Sequence, residues 1–303
     1  MLERHVHHKL TWIDMLNPTA DEIREVIAEC KIPLEYANDL TTMTPRSEVH
    51  ALKNLLKVTL DFPIVKRNDI THPHEIKFIA TKKHLITIRF EDIEALHRFS
   101  KEFEVSSLMK NHGKDFTGGN LCMALLEHLY RTMTVKLDYL ESKMVDIEEQ
   151  IFQSKEKEMV FEISKLSRRL IAFRQTLYAH EAVLEELREK IVVSFGKNYE
   201  QYIVILQNEY DHQIGRVRAL MSTIESLRDT NTAILSTKQN EIMKTLTIMA
   251  FITFPLTLFT SMFGMNTKTT PIVGQDGDFW LILGIMGIVS VGFFAYFKYK
   301  KWM

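Results

Sequence analysis

Two uncharged runs near the end of the chain constrain its fold more than any other feature. No Asp, Glu, Lys or Arg occurs over the 23 residues from Thr245 to Thr267 or the 19 residues from Phe279 to Phe297. At about 1.5 Å of helical rise per residue, about 20 apolar residues match a hydrocarbon core about 30 Å thick. Each run can therefore cross a bilayer. The near-neutral total, 38 Lys plus Arg against 39 Asp plus Glu in 303 residues, averages two unlike parts.

Five basic and two acidic residues follow Glu241, which leaves 33 basic and 37 acidic residues in the first 241, a net of −4. An electrostatic nucleic-acid binder needs a basic footprint, and none is visible. The two cysteines, Cys30 and Cys122, are too few for a disulfide framework and fit a reducing compartment. No apolar run follows Met1–Lys9, so no signal peptide is expected.

Residues 1–112 contain no glycine but five of the seven prolines, at 18, 33, 45, 63 and 73, a pattern of short elements joined by turns. Val58–Val65, Ile76–Ile79 and His84–Phe90 read as strands from their β-branched content. Pro18-Thr19-Ala20-Asp21-Glu22 opens a helix. These features predict a mixed α/β domain over residues 1–115.

From Asn120 to Phe263 only Gly196, Gly215 and Pro255 interrupt good helix formers. Leu125, Leu129, Met133, Leu137, Leu140, Met144 and Ile147 recur at three- or four-residue spacing, a helical stripe. Breaks near Phe152–Lys157 and Ser194–Asn198 predict a helical hairpin over 116–198. A long helix follows over 199–266, entering the first apolar run. Its length, about 100 Å at helical rise, makes it a stalk that packs on neighbouring helices or on copies of itself. The acidic clusters Asp146-Ile147-Glu148-Glu149 and Glu185-Glu186 read as solvated faces that also concentrate cations.

The two runs differ in polarity. The first carries Thr247, Thr253, Thr257, Thr260 and Ser261; the second has only Ser290 and Tyr296 as hydroxyl residues, with Gly284, Gly287 and Gly292. A single Thr can simply bond back to its own helix, but this asymmetry predicts a pore-lining first span and a peripheral second one. Asn240, Met243, Thr247, Ala250, Phe254, Thr257, Ser261 and Gly264 form one seam at alternating spacings of three and four. One such helix cannot enclose a channel, so the reading requires a cyclic homo-oligomer in the lipid bilayer. Lys298, Lys300 and Lys301 in the tail, 298–303, place the C-terminus in the cytosol, and two spans return the N-terminus there. Residues 267–278 become a short external loop, and 279–297 the second span.

The first span ends in Phe263-Gly264-Met265-Asn266. A Gly-Met-Asn signature between a polar-faced span and a short external loop resembles the CorA family of divalent-cation channels. Asn240-Glu241-Ile242-Met243-Lys244, Phe254-Pro255-Leu256-Thr257 and Lys300-Lys301-Trp302-Met303 are also similar, as are Trp12-Ile13-Asp14-Met15 and Leu85-Ile86-Thr87-Ile88 in the first half.

The resemblance implies an α+β cytosolic domain, long stalk helices and two C-terminal transmembrane helices, assembled as a funnel-shaped homopentamer in the cell's inner or plasma membrane. It implies passive Mg²⁺ uptake, with a filter at Gly264, Met265 and Asn266 that binds the hydrated ion. Asn240, Met243 and Leu246 would lie at the inner constriction, lined further out by Thr247, Ala250, Phe254, Thr257 and Ser261. Gly264 would end the helix in angles closed to other residues. Relatives are held closed by Mg²⁺ between cytosolic domains, and Glu209 and Asp211 lie near where the family carries such an acid. The external loop departs from the family pattern, with Thr267-Lys268-Thr269-Thr270-Pro271-Ile272 in place of a Met-Pro-Glu-Leu-like stretch.

Three other readings compete. His5, His7, His8, His72 and His74 invite a Zn²⁺, Co²⁺ or Ni²⁺ transporter of the same fold, because imidazole suits those metals. A membrane-anchored coiled-coil scaffold without transport explains the long helices but not the unequal spans. An enzyme is not expected: the chain has no Walker-type phosphate loop, HExxH or nucleophile elbow.

Overall fold

The computed structural model describes residues 1–7, 9–36, 40–44, 46–63, 73–108, 116–265, 272, 274, 276–300 and 302. The chain divides into two compact units, Met1–Arg228 and Asp229–Met303.

In the first unit six strands form one sheet: β1 (Leu2–His7), β2 (Leu10–Leu16), β3 (Glu48–Leu52), β4 (Leu55–Pro63), β5 (Pro73–Thr81) and β6 (His84–Arg89). Their order is β1-β2-β6-β5-β4-β3, and β2 with β6 is the single parallel pair among the described strands. A parallel pair cannot be joined by a tight turn. The chain between them forms helix α1 (Ala20–Cys30) and the meander β3 to β5.

Both faces of the sheet are covered. Ile13, Met15, Ile86 and Ile88 pack with Ile23, Val26 and Ile27 of α1. On the other face Trp12 lies 5.6 Å from Phe99 and 6.1 Å from Phe103 of helix α2 (Glu94–Leu108), ring centre to ring centre. The Trp12 indole donates to Thr87 Oγ1 at 3.0 Å, and the Arg89 guanidinium donates twice to Asp14 Oδ2, at 2.8 and 3.1 Å. Trp12, Thr87, Asp14 and Arg89 thus supply hydrogen-bond partners to one another, as burial of polar groups demands.

Helices α3 (Gly118–Phe152) and α4 (Glu156–Phe195) complete that layer. Both α1 and α3 begin with a reciprocal cap, Thr19 with Glu22 and Thr117 with Asn120. Gly118 is required at the start of α3, since a Cβ there would stand 2.2 Å from the His84 carbonyl oxygen. The predicted stripe from Leu125 to Ile147 is buried throughout. Gly196, with φ +100°, and a single 3₁₀ turn at Lys197–Tyr199 lead into α5 (Glu200–Phe263).

Up to Arg228, α5 is tied to α3. Ile203, Leu206, Tyr210, Ile214, Val217, Leu220, Ile224 and Leu227 are buried at helical spacing. Asn120 donates to the Tyr202 hydroxyl at 3.3 Å, Gln213 to Thr134 at 3.0 Å, and Arg216 bridges Asp138 and Glu141 at 2.7 and 2.8 Å.

The second unit holds the rest of α5 and helix α6 (Asp278–Tyr299). Gly277 precedes α6 with φ +92°, and Asp278 Oδ2 accepts from the Gly274 N–H at 3.0 Å.

Candidate ion pathway

Two helices, α6 and the one containing the end of α5, are long and apolar enough to cross a membrane. They meet around Phe297, whose ring centre lies 6.1 Å from that of Phe251 and is stacked by Trp302 at 5.9 Å. Ile248 and Phe297 are buried, with 6 % and 5 % exposure. At 100° per residue, Ile248, Ile252, Pro255 and Phe259 share this face of α5.

The predicted seam lies across the helix from it. Asn240, Met243, Phe254, Thr257, Ser261 and Gly264 are exposed in the single chain, Phe254 at 72 %, while Thr247 and Ala250 are half-buried. Leu246 lines the other side of that surface, 54 % exposed. These pore-lining candidates are thus brought onto one broad face that α6 leaves open.

Four Thr hydroxyls in the apolar end of α5 donate back to their own helix. Thr247 donates to the Met243 carbonyl at 2.8 Å, Thr253 to Met249 at 2.7 Å, Thr257 to Thr253 at 2.9 Å and Thr260 to Thr257 at 2.9 Å. Back-bonding was expected of a single Thr, and the structure extends it to all four. A hydroxyl that donates inward keeps its oxygen as an outward acceptor.

One glycine expectation is corrected. Gly264 is not among the positive-φ residues; its N–H continues the helical pattern to Thr260 O at 2.9 Å, and a Cβ would stand 3.0 Å from that oxygen. Its smallness serves a close approach, not a left-handed turn. On α6, a Cβ at Gly284, Gly287 or Gly292 would meet nothing within 4 Å, so packing within one chain does not require glycine at these positions. Met265 is exposed, and Asn266 lies outside the described residues.

The proposed regulatory acids do not converge. Glu209 accepts from Arg131 Nε at 3.1 Å, while Asp211 is exposed with no ion pair among the described residues. Residues two apart on a helix do not face each other, so one chain cannot bring both to one ion. Among the described residues no group of three His, Cys, Asp or Glu could hold a metal. His5 Nδ1 lies 2.9 Å from Glu104, and His74 Nδ1 3.2 Å from Glu91; His8 and His72 lie outside the described residues. Both cysteines are buried, and burial pushes the Cys30 thiol up to about 11 and the Cys122 thiol up to about 12, which disfavours the thiolate that binds soft metals.

An α+β domain, long helices and two C-terminal spans of unequal polarity define a membrane transport protein with a large soluble part. The chain belongs to the family described as CorA-like Mg²⁺ transporter protein, which matches residues 7–300. It is similar to the cobalt/magnesium transport protein CorA of Thermotoga maritima, 25 % identical over 97 % of this chain and 83 % of that protein. The corresponding protein of Methanocaldococcus jannaschii is 22 % identical over 98 % of this chain and 92 % of that one. The complete structure of the M. jannaschii CorA magnesium transporter superposes with a TM-score of 0.84, at 22 % identity, covering 98 % of this chain and 92 % of that one. The full-length CmaX protein gives 0.72 at 15 % identity, covering 97 % and 89 %.

Proposed function

We propose that the chain forms a homopentameric channel for passive Mg²⁺ uptake, with α5 lining the pore, α6 at the periphery, and Co²⁺ as a second permeant ion. The observation that carries this is the open face of α5. It lies opposite the contact with α6, and it presents hydroxyl oxygens that only accept.

Mg²⁺ gives up water reluctantly and prefers octahedral oxygen ligation. The water shell of a cation offers only hydrogen-bond donors outward, so a wall of acceptors holds the hydrated ion without stripping it. In the pentamer Asn266 supplies a ring of neutral carbonyls at the outer mouth, with Gly264 and Met265 beneath it, and weak neutral binding allows release. Met243 and Leu246, exposed and apolar, close the inner end by dewetting, beside Asn240. Both termini lie in the cytosol, across the cell's inner or plasma membrane. Asp211, exposed, is the acid available to a regulatory Mg²⁺ site completed by another copy; Glu209 would first have to leave Arg131.

Flux into reconstituted vesicles tests the reading. Mg²⁺ entry is expected in the wild type and loss to background in Asn266→Ala. Zn²⁺ transport without Mg²⁺ transport would overturn the choice of ion, and undiminished flux in Asn266→Ala would overturn the filter.

A further inference from the structure

In a chain of near-neutral net charge, one concave surface of the first unit is strongly basic. A cavity of about 630 Å³ opens where the end of α1, the β3–β4 turn and the β5–β6 turn come together, lined by Lys31, Lys53, Lys82, Lys83 and His84. Glu29 is its one acid, and that carboxylate already accepts from the Arg4 guanidinium at 2.8 Å. None of the four lysines has an ion pair among the described residues. The cavity is therefore lined by four lysines whose charge no ion pair among the described residues offsets.

Ordinary solvation accounts for part of this. Lys31 caps the carbonyl end of α1, with φ +54° and its N–H bonded to the Ala28 and Ile27 carbonyls, a place where a cation complements the helix dipole. Lysines at turn tips are usually just solvated. Lys53, Lys82 and Lys83, however, line a concavity, and Lys82 and Lys83 are adjacent like charges with no acid between them. A cleft walled by one sign of charge focuses potential and collects counter-ions.

The cavity is not only charged. Cys30 and Leu55 are buried beneath it, and Pro33 and Leu52 add apolar wall. Its volume falls within the range of about 300 to 1,000 Å³ typical of small-molecule sites. Several ammonium groups around an apolar pocket match an oligophosphate that carries a less polar group. We infer that this cavity, bounded by Lys31, Lys53, Lys82, Lys83 and Leu55, binds a small phosphorylated anion of the nucleoside polyphosphate class.

The test uses the full chain in detergent micelles with ATP as probe and a chelator present, so that neither flux nor bound metal enters the readout. Saturable binding of one ATP per chain is expected, displaced by inorganic triphosphate. Lys53→Gln/Lys82→Gln/Lys83→Gln should raise Kd by about tenfold or more, because it removes three of the four ammonium groups that would pair with the phosphates. Lys101→Gln, on α2, should leave it unchanged, and thermal melting verifies that the variants fold. No saturable binding, or the same Kd in the triple variant, overturns the inference. So does binding to vesicles of anionic phospholipid without binding to ATP, which would make the site a lipid headgroup contact.

Discussion

The Thr257 hydroxyl donates to the Thr253 carbonyl, so what it offers outward is an oxygen alone. In the proposed pore that oxygen accepts from metal-bound water. Thr257→Val keeps the shape and removes the acceptor, and should lower Mg²⁺ flux by up to about tenfold, the equivalent of roughly one hydrogen bond. Thr257→Ser should retain most of it. Equal flux in Val and Ser variants would show that the hydroxyl faces no permeating ion. His180 makes a different kind of single-residue case. Fully buried, it accepts from the Tyr130 hydroxyl at Nδ1, 2.7 Å, and donates from Nε2 to the Asp61 carbonyl at 2.6 Å. Both ring nitrogens are used by one proton, and burial lowers the pKa to about 4. The unfolded chain takes up a second proton near its ordinary value of about 6.5, whereas the folded chain does so only near 4. The stabilisation is therefore complete above pH 6.5 and falls as pH drops toward 4, by on the order of 3 kcal/mol. His180→Gln should be less stable at pH 7 and show a shallower loss of Tm between pH 6.5 and 4.5. A parallel loss in both proteins would mean that other groups govern the acid response.

Helix α3 shows what an element's sequence makes legible. Leu137 is fully buried while Val135, two residues earlier, is 62 % exposed, as period 3.6 requires. Leu137→Ala should cost about 2 to 5 kcal/mol in chemical denaturation and Val135→Ala less than about 0.5. Equal costs would mean that the stripe is not the core. The breaks expected near Phe152–Lys157 and Ser194–Asn198 fall where α3 gives way to α4 and α4 to α5. Strands β4, β5 and β6 were readable from β-branched runs. Strand β2, LTWIDML, was not, because a central strand covered on both faces does not alternate. Strand β1, LERHVH, was hidden by charge, since as an edge strand it exposes Arg4 and Val6. The spans were legible because bilayer thickness is a local demand on length and charge. The partner of Glu209 was not, because Arg131 is 78 residues away and only the packing of α3 on α5 joins them.

For the molecule as a whole, the proposed topology puts both termini on one side of the membrane, on the grounds of the positive charges after the second candidate span and an even number of spans. The chain suits a direct test, because Cys30 and Cys122 are buried and their thiols are held protonated. Unfolding aside, neither should react with a membrane-impermeant maleimide. Single added cysteines then report sidedness without a cysteine-free background. Lys9→Cys and Met303→Cys should label only after the cells are permeabilised, and Thr269→Cys, in the sequence between the two proposed spans, should label in intact cells. Labelling of Lys9→Cys from outside would invert the protein. The basic tail would then lie against the outer leaflet and the large soluble unit outside the cell, where Asp211 could not sense cytosolic Mg²⁺. Labelling of Lys9→Cys and Met303→Cys from opposite sides would mean that only one helix crosses, which removes α6 as the outer wall and with it the reason the seam on α5 faces away from α6.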